Sequence, residues 1–557
     1  MRYEDLVGFY KELESTTKRL VKRDIIANLL KKSSEEDLNY VVYLLQGRVF
    51  PKHERKEIGF SSKLMVKAIS KASGHTTNEV NSGWRKTGDL GKVAENFIAS
   101  KKQRTLASHT LTVKKVCENI RKLVELTGEG TVGRKVSLVS ELLTSSRPDE
   151  ARFIVRTVIG DLRIGVAEGV LREAIAKVYD SDVKEVEKAY NLVLDYGEVC
   201  RMAKDKVLGK ASLIPGRPTK VMLAYRVQSL AEAFKEVGKP ALFEYKLDGF
   251  RVLISKKDDK IVLFSRRMEN VTNQFPDVVQ EVKKYVKGTS FILDTEVVGY
   301  DRKTDKYLPF QKISQRIRRK HDIEKMIKDY PVEINVFDVL YYNGKTYTKH
   351  TQKARRDLLK QIVKQKKSDV VITTSLITDN EKEAEKFYRD SLKAGNEGVM
   401  IKNLETIYKP GRRVHGWVKF KPVMEPLDLV IVGAHWGEGK RAKWLASFDL
   451  ACKSGDQFLT IGKVGSGIKE KTEGVTFKQL TKELKPYITE TKGKHVKIEP
   501  RLVVEVAYEE IQKSPTYTSG YALRFPRIIQ SRKETKSVRE TNTLADVKRL
   551  HEGQKKK

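Results

Sequence analysis

The chain has 557 residues, 39% of them hydrophobic, and its 109 Lys and Arg outnumber 73 Asp and Glu to give a formal charge of +36. That is too long for one core and too apolar for wholesale disorder, so about three domains are predicted. The basic excess is spread along the chain rather than gathered on one amphipathic helix, which points to nucleic acid as partner before membrane lipid.

No run of about 18 apolar residues offers a membrane span. The opening MRYEDLVGFYKELE carries acids where a signal peptide needs an apolar core. Cys117, Cys200 and Cys452 are scattered and form no CxxC. They exclude a zinc ribbon and a disulfide framework and suit a reducing, cytoplasmic compartment.

Residues 1–215 read as helical. Leu6, Tyr10, Leu13 and Thr17 follow helical spacing, and Ser33 with Glu36 offers a capping box for the next helix. A further helix is predicted over 136–143, and Gly160, Gly165 and Gly169 punctuate helical stretches in 157–179. Pairs such as Lys101–Lys102 and Lys114–Lys115 suit either a solvated face or contact with a phosphate backbone. At IPGRP (214–218) Pro and Gly cluster and the period shifts towards two.

Residues 216–426 then mix strands and helices, an α+β pattern. ALFEYKLDGF, RVLISKK and IVLFSRR read as strands, with Asp258–Asp259 as the turn between the last two. PDVVQEVKKYVKG reads as an amphipathic helix stopped by Gly288, with Val278, Val279, Val282 and Val286 on one stripe. SFILDTEVVGY and EINVFDVLYY read as buried strands, followed by helices near 351–365 and 380–394 and strands at GVMIKN and WVKFKP. Short strands dominate 427–557, as in a small oligonucleotide-binding (OB-fold) β-barrel, and the GQKKK tail reads as disordered.

The chemistry gathers in the α+β region. Lys246 ends an apolar strand and is followed by Asp248, Gly249 and Arg251. It is either a strand-end charge or a nucleophile, an amine that attacks only when unprotonated and that nearby cations can help to deprotonate. Asp294 and Glu296, two apart on one strand, share a face, and Glu397 precedes another strand. Such acids are either solvated turn residues or oxygen ligands for Mg²⁺ at phosphates. Lys419 and Lys421 alternate, as two fixed cations for a phosphate or as the polar face of an edge strand. Arg524 and Arg527 flank a proline, as a solvated pair or as a grip on pyrophosphate.

In order, KLDGFR, FSRR, DTEVV, FDVLYY, EGVMIK, WVKFKP and RFPR resemble the nucleotidyltransferase motif series of ATP-dependent DNA ligases. PTKVMLA, KVGSG and GDLRIGVAEG extend the similarity over nearly the whole chain, and its length resembles the archaeal replicative type. The resemblance implies three domains: an all-α DNA-binding domain at 1–215, an α+β adenylation (nucleotidyltransferase) domain at 216–426 and an OB-fold domain at 427–557. It implies ATP and Mg²⁺ as cofactors, nicked double-stranded DNA as substrate, and a monomer in the cytoplasm at the nucleoid.

By the same resemblance, Lys246 takes AMP covalently, Glu244 lies near the adenine and Phe337 stacks on it. Arg251 and Arg266 contact ribose and phosphate, Glu296 is the ribose-side acid and shares metal binding with Glu397, and Lys419 and Lys421 hold the α-phosphate. Arg524 and Arg527 orient the leaving pyrophosphate, while Asp248 either acts near the lysine or holds the turn. Asp294 carries less, because Thr295 stands where the family has glycine.

One departure concerns a sliding clamp. In KKQRTLASHT, Gln103 is present, but Leu106 and Ala107 occupy the positions of the aromatic pair that anchors a clamp in archaeal relatives, so clamp binding through this stretch is not expected. Two other readings stay open at this stage. An RNA ligase or capping-type nucleotidyltransferase shares the lysine motif but leaves the helical region unexplained. A non-catalytic basic DNA-binding protein explains the charge but not the ordered motifs.

Overall fold

The computed structural model describes residues 1–54, 56–101, 110–308, 310–318, 321–422, 424–437, 441, 443–470 and 474–556. Two compact units result: Met1–Arg226 with Ala233–Ala384 and Met400–Lys419, and Val227–Glu232 with Glu385–Val399 and Phe420–Lys557. The clamp-like positions Gln103, Leu106 and Ala107 lie outside the described residues.

The helical reading of the first region holds, with twelve α-helices among its described residues between Tyr3 and Lys204. The first, Tyr3–Ser15, buries Leu6, Tyr10 and Leu13 and ends before Thr17. The predicted cap sits one residue later than expected. Ser33 closes the preceding helix by donating to the Leu29 carbonyl at 2.8 Å, and Ser34 accepts from the Asp37 amide at 3.2 Å. Ser33 is the C-cap of Arg19–Lys32, so the serine free to cap the next helix is its neighbour.

Asp89 caps the Leu90–Ala99 helix and pairs with the fully buried Arg156 at 2.6 Å, tying that helix to Pro148–Val158. Gly160 and Gly165, at φ +76° and +65°, carry the chain from there to the Glu168–Val178 helix.

The central region holds two sheets. A five-stranded sheet orders Leu223–Arg226, Arg413–Phe420, Gly398–Asn403, Ala241–Lys246 and Ser375–Thr378. A seven-stranded sheet is built on Lys260–Ser265, Phe250–Lys257, Ser290–Asp301 and Val332–Tyr342, paired antiparallel in that order. Strand Phe250–Lys257 is buried on both faces. Val252 and Ile254 pack with the Pro276–Tyr285 helix, and Leu253 packs with Met222, Tyr408 and Trp417. Such strands read as unbroken apolar runs rather than alternating ones. The helices Phe310–Arg318 and Ile323–Asp329 were not legible in the sequence: each is short, and the first has only Phe310, Ile313 and Ile317 as apolar residues.

In the second unit, Leu427–Trp436 pairs along its first half with Val503–Ala507 and along its second with His495–Ile498, while Leu445–Ser454 pairs with its other edge from Val430 to Trp436. A register shift between Ile431 and Gly433 marks the change of partner. Splitting one long strand between two neighbours curls the sheet, as a small barrel requires. The Phe477–Leu484 helix covers this sheet, burying Phe477, Leu480 and Leu484.

The tail corrects an expectation. Leu544–Lys556 is a helix, and Gln554 both donates to the Ile511 carbonyl at 3.0 Å and accepts from its amide at 2.7 Å. A side chain completing a strand's backbone bonds fixes what composition alone reads as disordered.

Candidate active site

Lys246 ends the Ala241–Lys246 strand half-buried, and within three residues the chain has entered Phe250–Lys257 of the other sheet. Gly249 makes that crossing possible: a Cβ there would stand 2.5 Å from the Val297 carbonyl oxygen. Asp248 holds the turn by accepting the Phe310 amide at 3.2 Å, at the start of the Phe310–Arg318 helix.

Two residues before the lysine and on the same strand face, Glu244 is 2% exposed. Its carboxylate lies between Arg356 and Lys402, the latter at 2.5 Å. Burial lowers the pKa of the Lys402 ammonium, with Glu244 acting against it. Lys402 Nζ lies 5.0 Å from the Phe337 ring centroid and 4.2 Å from that of Trp417.

On Phe337 also rests Arg251, 5.3 Å from the ring centroid. Its guanidinium is held by Asp294 in two bonds of 2.8 and 2.5 Å and donates to the Met222 carbonyl at 2.8 Å. Tyr408 donates to the same carboxylate at 2.6 Å. Asp294 therefore orients Arg251 from a fully buried position, and Thr295 is accommodated by donating to the Val252 carbonyl at 2.8 Å. Glu296 is half-buried directly across the sheet from Arg251.

The structure thus brings Glu244, Arg251 and Phe337 together around Lys402. An aromatic face, a buried acceptor carboxylate and flanking cations suit a planar ring bearing an amino group with phosphates beyond it. Sequence reasoning passed over Lys402, Arg356, Tyr408 and Trp417. Lys402 and Trp417 stood inside the quoted motifs EGVMIK and WVKFKP, whereas Arg356 and Tyr408 carried no local signal.

Lys419 lies half-buried near the end of the Arg413–Phe420 strand, and Lys421 falls one residue past it. In the second unit Lys421 pairs with Glu509 at 2.7 Å, and Arg524 with Glu510 at 3.1 Å and with Glu397 at 4.0 Å. Gly398, next to Glu397, has φ +140° and leaves no room for a side chain, since a Cβ would meet the Phe420 carbonyl oxygen at 2.3 Å. Phe525, in the RFPR turn, has φ +51° and is 67% exposed. Arg266 and Arg527 are exposed at strand ends and enter none of these contacts. By donor type, the half-buried carboxylates Glu296 and Glu397 each fit a hard divalent cation.

A lysine where two sheets meet, with a buried carboxylate on its own strand face and an aromatic ring and cations close to that carboxylate, is an arrangement that suits a nucleotidyltransferase. Residues 2–176 match the DNA ligase N terminus, 221–421 the ATP dependent DNA ligase domain and 441–535 the ATP dependent DNA ligase C terminal region. The chain is 46% identical to a DNA ligase of Nanoarchaeum equitans and 41% identical to one of Thermococcus onnurineus, each over 100% of this chain and 99% of the relative. A DNA ligase of Archaeoglobus fulgidus is 40% identical over 99% of this chain and 98% of its own. The solved structure named Pmar-Lig_Pre shares the fold, with a TM-score of 0.58 at 18% identity over 95% of this chain and 99% of that one.

The chain belongs to the ATP-dependent DNA ligase family. Its helical region, adenylation domain and strand-rich domain follow the order expected of that family, and RNA ligase, capping-type and non-catalytic readings are not favoured.

Proposed function

We propose that this DNA ligase seals nicks in double-stranded DNA through AMP carried on Lys246. The observation that carries this reading is the placement of Lys246 at the strand-to-strand crossing, on the same strand face as Glu244. The Lys246 amine attacks the α-phosphate of ATP, forming an N–P bond as pyrophosphate leaves. The adenylyl group then passes to the 5′-phosphate of the nick. The 3′-hydroxyl attacks that activated phosphate, and AMP departs. Splitting the exchange at a covalent adduct replaces one hard step by easier ones.

Glu244 reads the adenine edge and Phe337 its face, while Arg251 and Arg266 serve ribose and phosphate. Lys419 and Lys421 hold the α-phosphate, and Arg524 and Arg527 orient pyrophosphate. Glu296 and Glu397 would hold Mg²⁺, which supplies charge neutralisation at phosphate oxygens. The working boundaries are 1–215, 216–426 and 427–557. We take the enzyme to act as a monomer on cytoplasmic, nucleoid-associated DNA. The 103–107 stretch gives a sliding clamp no aromatic anchor. Among the described residues, no helix is long and apolar enough to cross a membrane.

The test is the mass of the chain after incubation with ATP and Mg²⁺. An added adenylyl group is expected in the natural chain and not in Lys246→Ala, which should still bind nicked duplex but not seal it. Sealing by Lys246→Ala would defeat the assignment.

A further inference from the structure

One polar cluster of the second unit has no role in the adenylyl transfer proposed above. His435, Asp449 and His495 each present a ligand atom, and these atoms lie within 4.8 Å of one another. They come from three adjacent strands, Leu427–Trp436, Leu445–Ser454 and His495–Ile498. His435 faces His495 directly across one pairing, and Asp449 faces Gly433 across the other. Residues 433 and 435 share a strand face, so the register gathers the donors on one side of the sheet.

We propose that His435, Asp449 and His495 form a binding site for a divalent transition-metal ion of the Zn²⁺ type. Two imidazoles and one carboxylate are a borderline donor set, suited to Zn²⁺, Co²⁺ or Ni²⁺ rather than Mg²⁺. Two of the donors already touch: His495 Nε2 lies 2.8 Å from Asp449 Oδ2. The His435 and His495 rings pack with centroids 4.6 Å apart. Zn²⁺ holds such donors at about 2.0–2.2 Å, so a set within 4.8 Å needs only modest side-chain closure.

Gly433 keeps the centre of the cluster open. A Cβ there would stand 2.6 Å from Asp449 Oδ2 and 3.2 Å from His495 Nε2. A cation is already attracted to the spot. Lys463, 43% exposed, places its ammonium 3.5 Å from Asp449 Oδ1 and 3.5 Å from His435 Nδ1. A lysine on a flexible stem can leave for solvent, so it acts as the resident counter-ion that a metal displaces.

The experiment titrates Co²⁺ into the tag-free full chain in excess Mg²⁺ and follows the visible absorption of histidine-bound Co²⁺. One equivalent is expected in the natural chain, displaced by Zn²⁺. His435→Ala and His495→Ala should lose it while nick sealing with Mg²⁺ continues. Gly433→Ala keeps every donor and should weaken binding at least about tenfold, as changes around metal ligands do. Lys463→Met should tighten it. Equal Co²⁺ affinity in the natural chain and both histidine variants would overturn the proposal, as would no uptake by the natural chain. Gly433→Ala or Lys463→Met leaving the affinity unchanged would overturn the roles given to the open centre and the resident lysine.

Discussion

Loss of the Glu244 carboxylate would leave two buried cations unanswered. Its side chain is 2% exposed and answers two buried cations, Arg356 at 8% and Lys402 at 1% exposure. Breaking a buried ion pair by removing one partner costs about 3–5 kcal/mol, because the charge left behind has lost both water and partner. Glu244→Ala strands two such charges, so the upper part of that range is expected. Hydrogen exchange of the Ala241–Lys246 amides reads this directly: about 3 kcal/mol of lost local stability means exchange at least about a hundredfold faster. Glu244→Gln keeps the shape and a carbonyl acceptor and should fall between. In Glu244→Ala with Lys402→Met, one orphan charge is gone, and part of the protection should return. Exchange in Glu244→Ala within about threefold of the natural chain would refute the idea that this carboxylate holds the strand leading to Lys246.

Gly398→Ala should strain the backbone beside Glu397 and lower nick sealing by about tenfold or more, checked by steady-state kinetics. Burial pushes the Asp89 carboxyl up, but hydrogen bonding and charge from Arg156 prevail and hold it below the usual carboxylate range. Its stabilisation is therefore present above about pH 4 and lost as pH falls through the folded-state value, so Asp89→Asn should flatten the acid limb of the stability profile measured by denaturation. Burial pushes the thiols of Cys117 and Cys200 up to about 12 and that of Cys452 up to about 11. Thiol reagents at pH 8 should then label the native chain only on the unfolding timescale, a rate that denaturant would raise. With a formal charge of +36, affinity for nicked duplex should drop about a thousandfold or more between 50 and 200 mM salt, as measured by titration, if six or more phosphates are contacted.

Much of this was readable from residues alone because the determinants are local. Strand-end Lys246, the glycine after Asp248 and the unbroken apolar runs of the buried strands each announce themselves within ten residues. What escaped depends on distant partners. Arg356 sits in a helix whose exposed residues look like those of any solvated helix, and only the fold brings it to Glu244. Tyr408 reaches Asp294 across more than a hundred positions. The tail failed for the same reason, since Gln554 becomes ordered by a strand far upstream. Ser33 and Ser34 show a finer limit: two adjacent serines carry one motif between them, and which one caps depends on where the preceding helix runs out.

The pairing of Lys421 with Glu509, and of Arg524 with Glu510 and Glu397, has a kinetic meaning. In the roles proposed for Lys421 and Arg524, an arriving phosphate would evict a carboxylate instead of stripping a bare cation of its hydration. The same acid is on hand to reclaim its partner when product departs. Swapping one anion for another in this way would temper the grip on nucleotide, and a tempered grip would favour turnover in an enzyme that must let go of pyrophosphate and then AMP in each cycle.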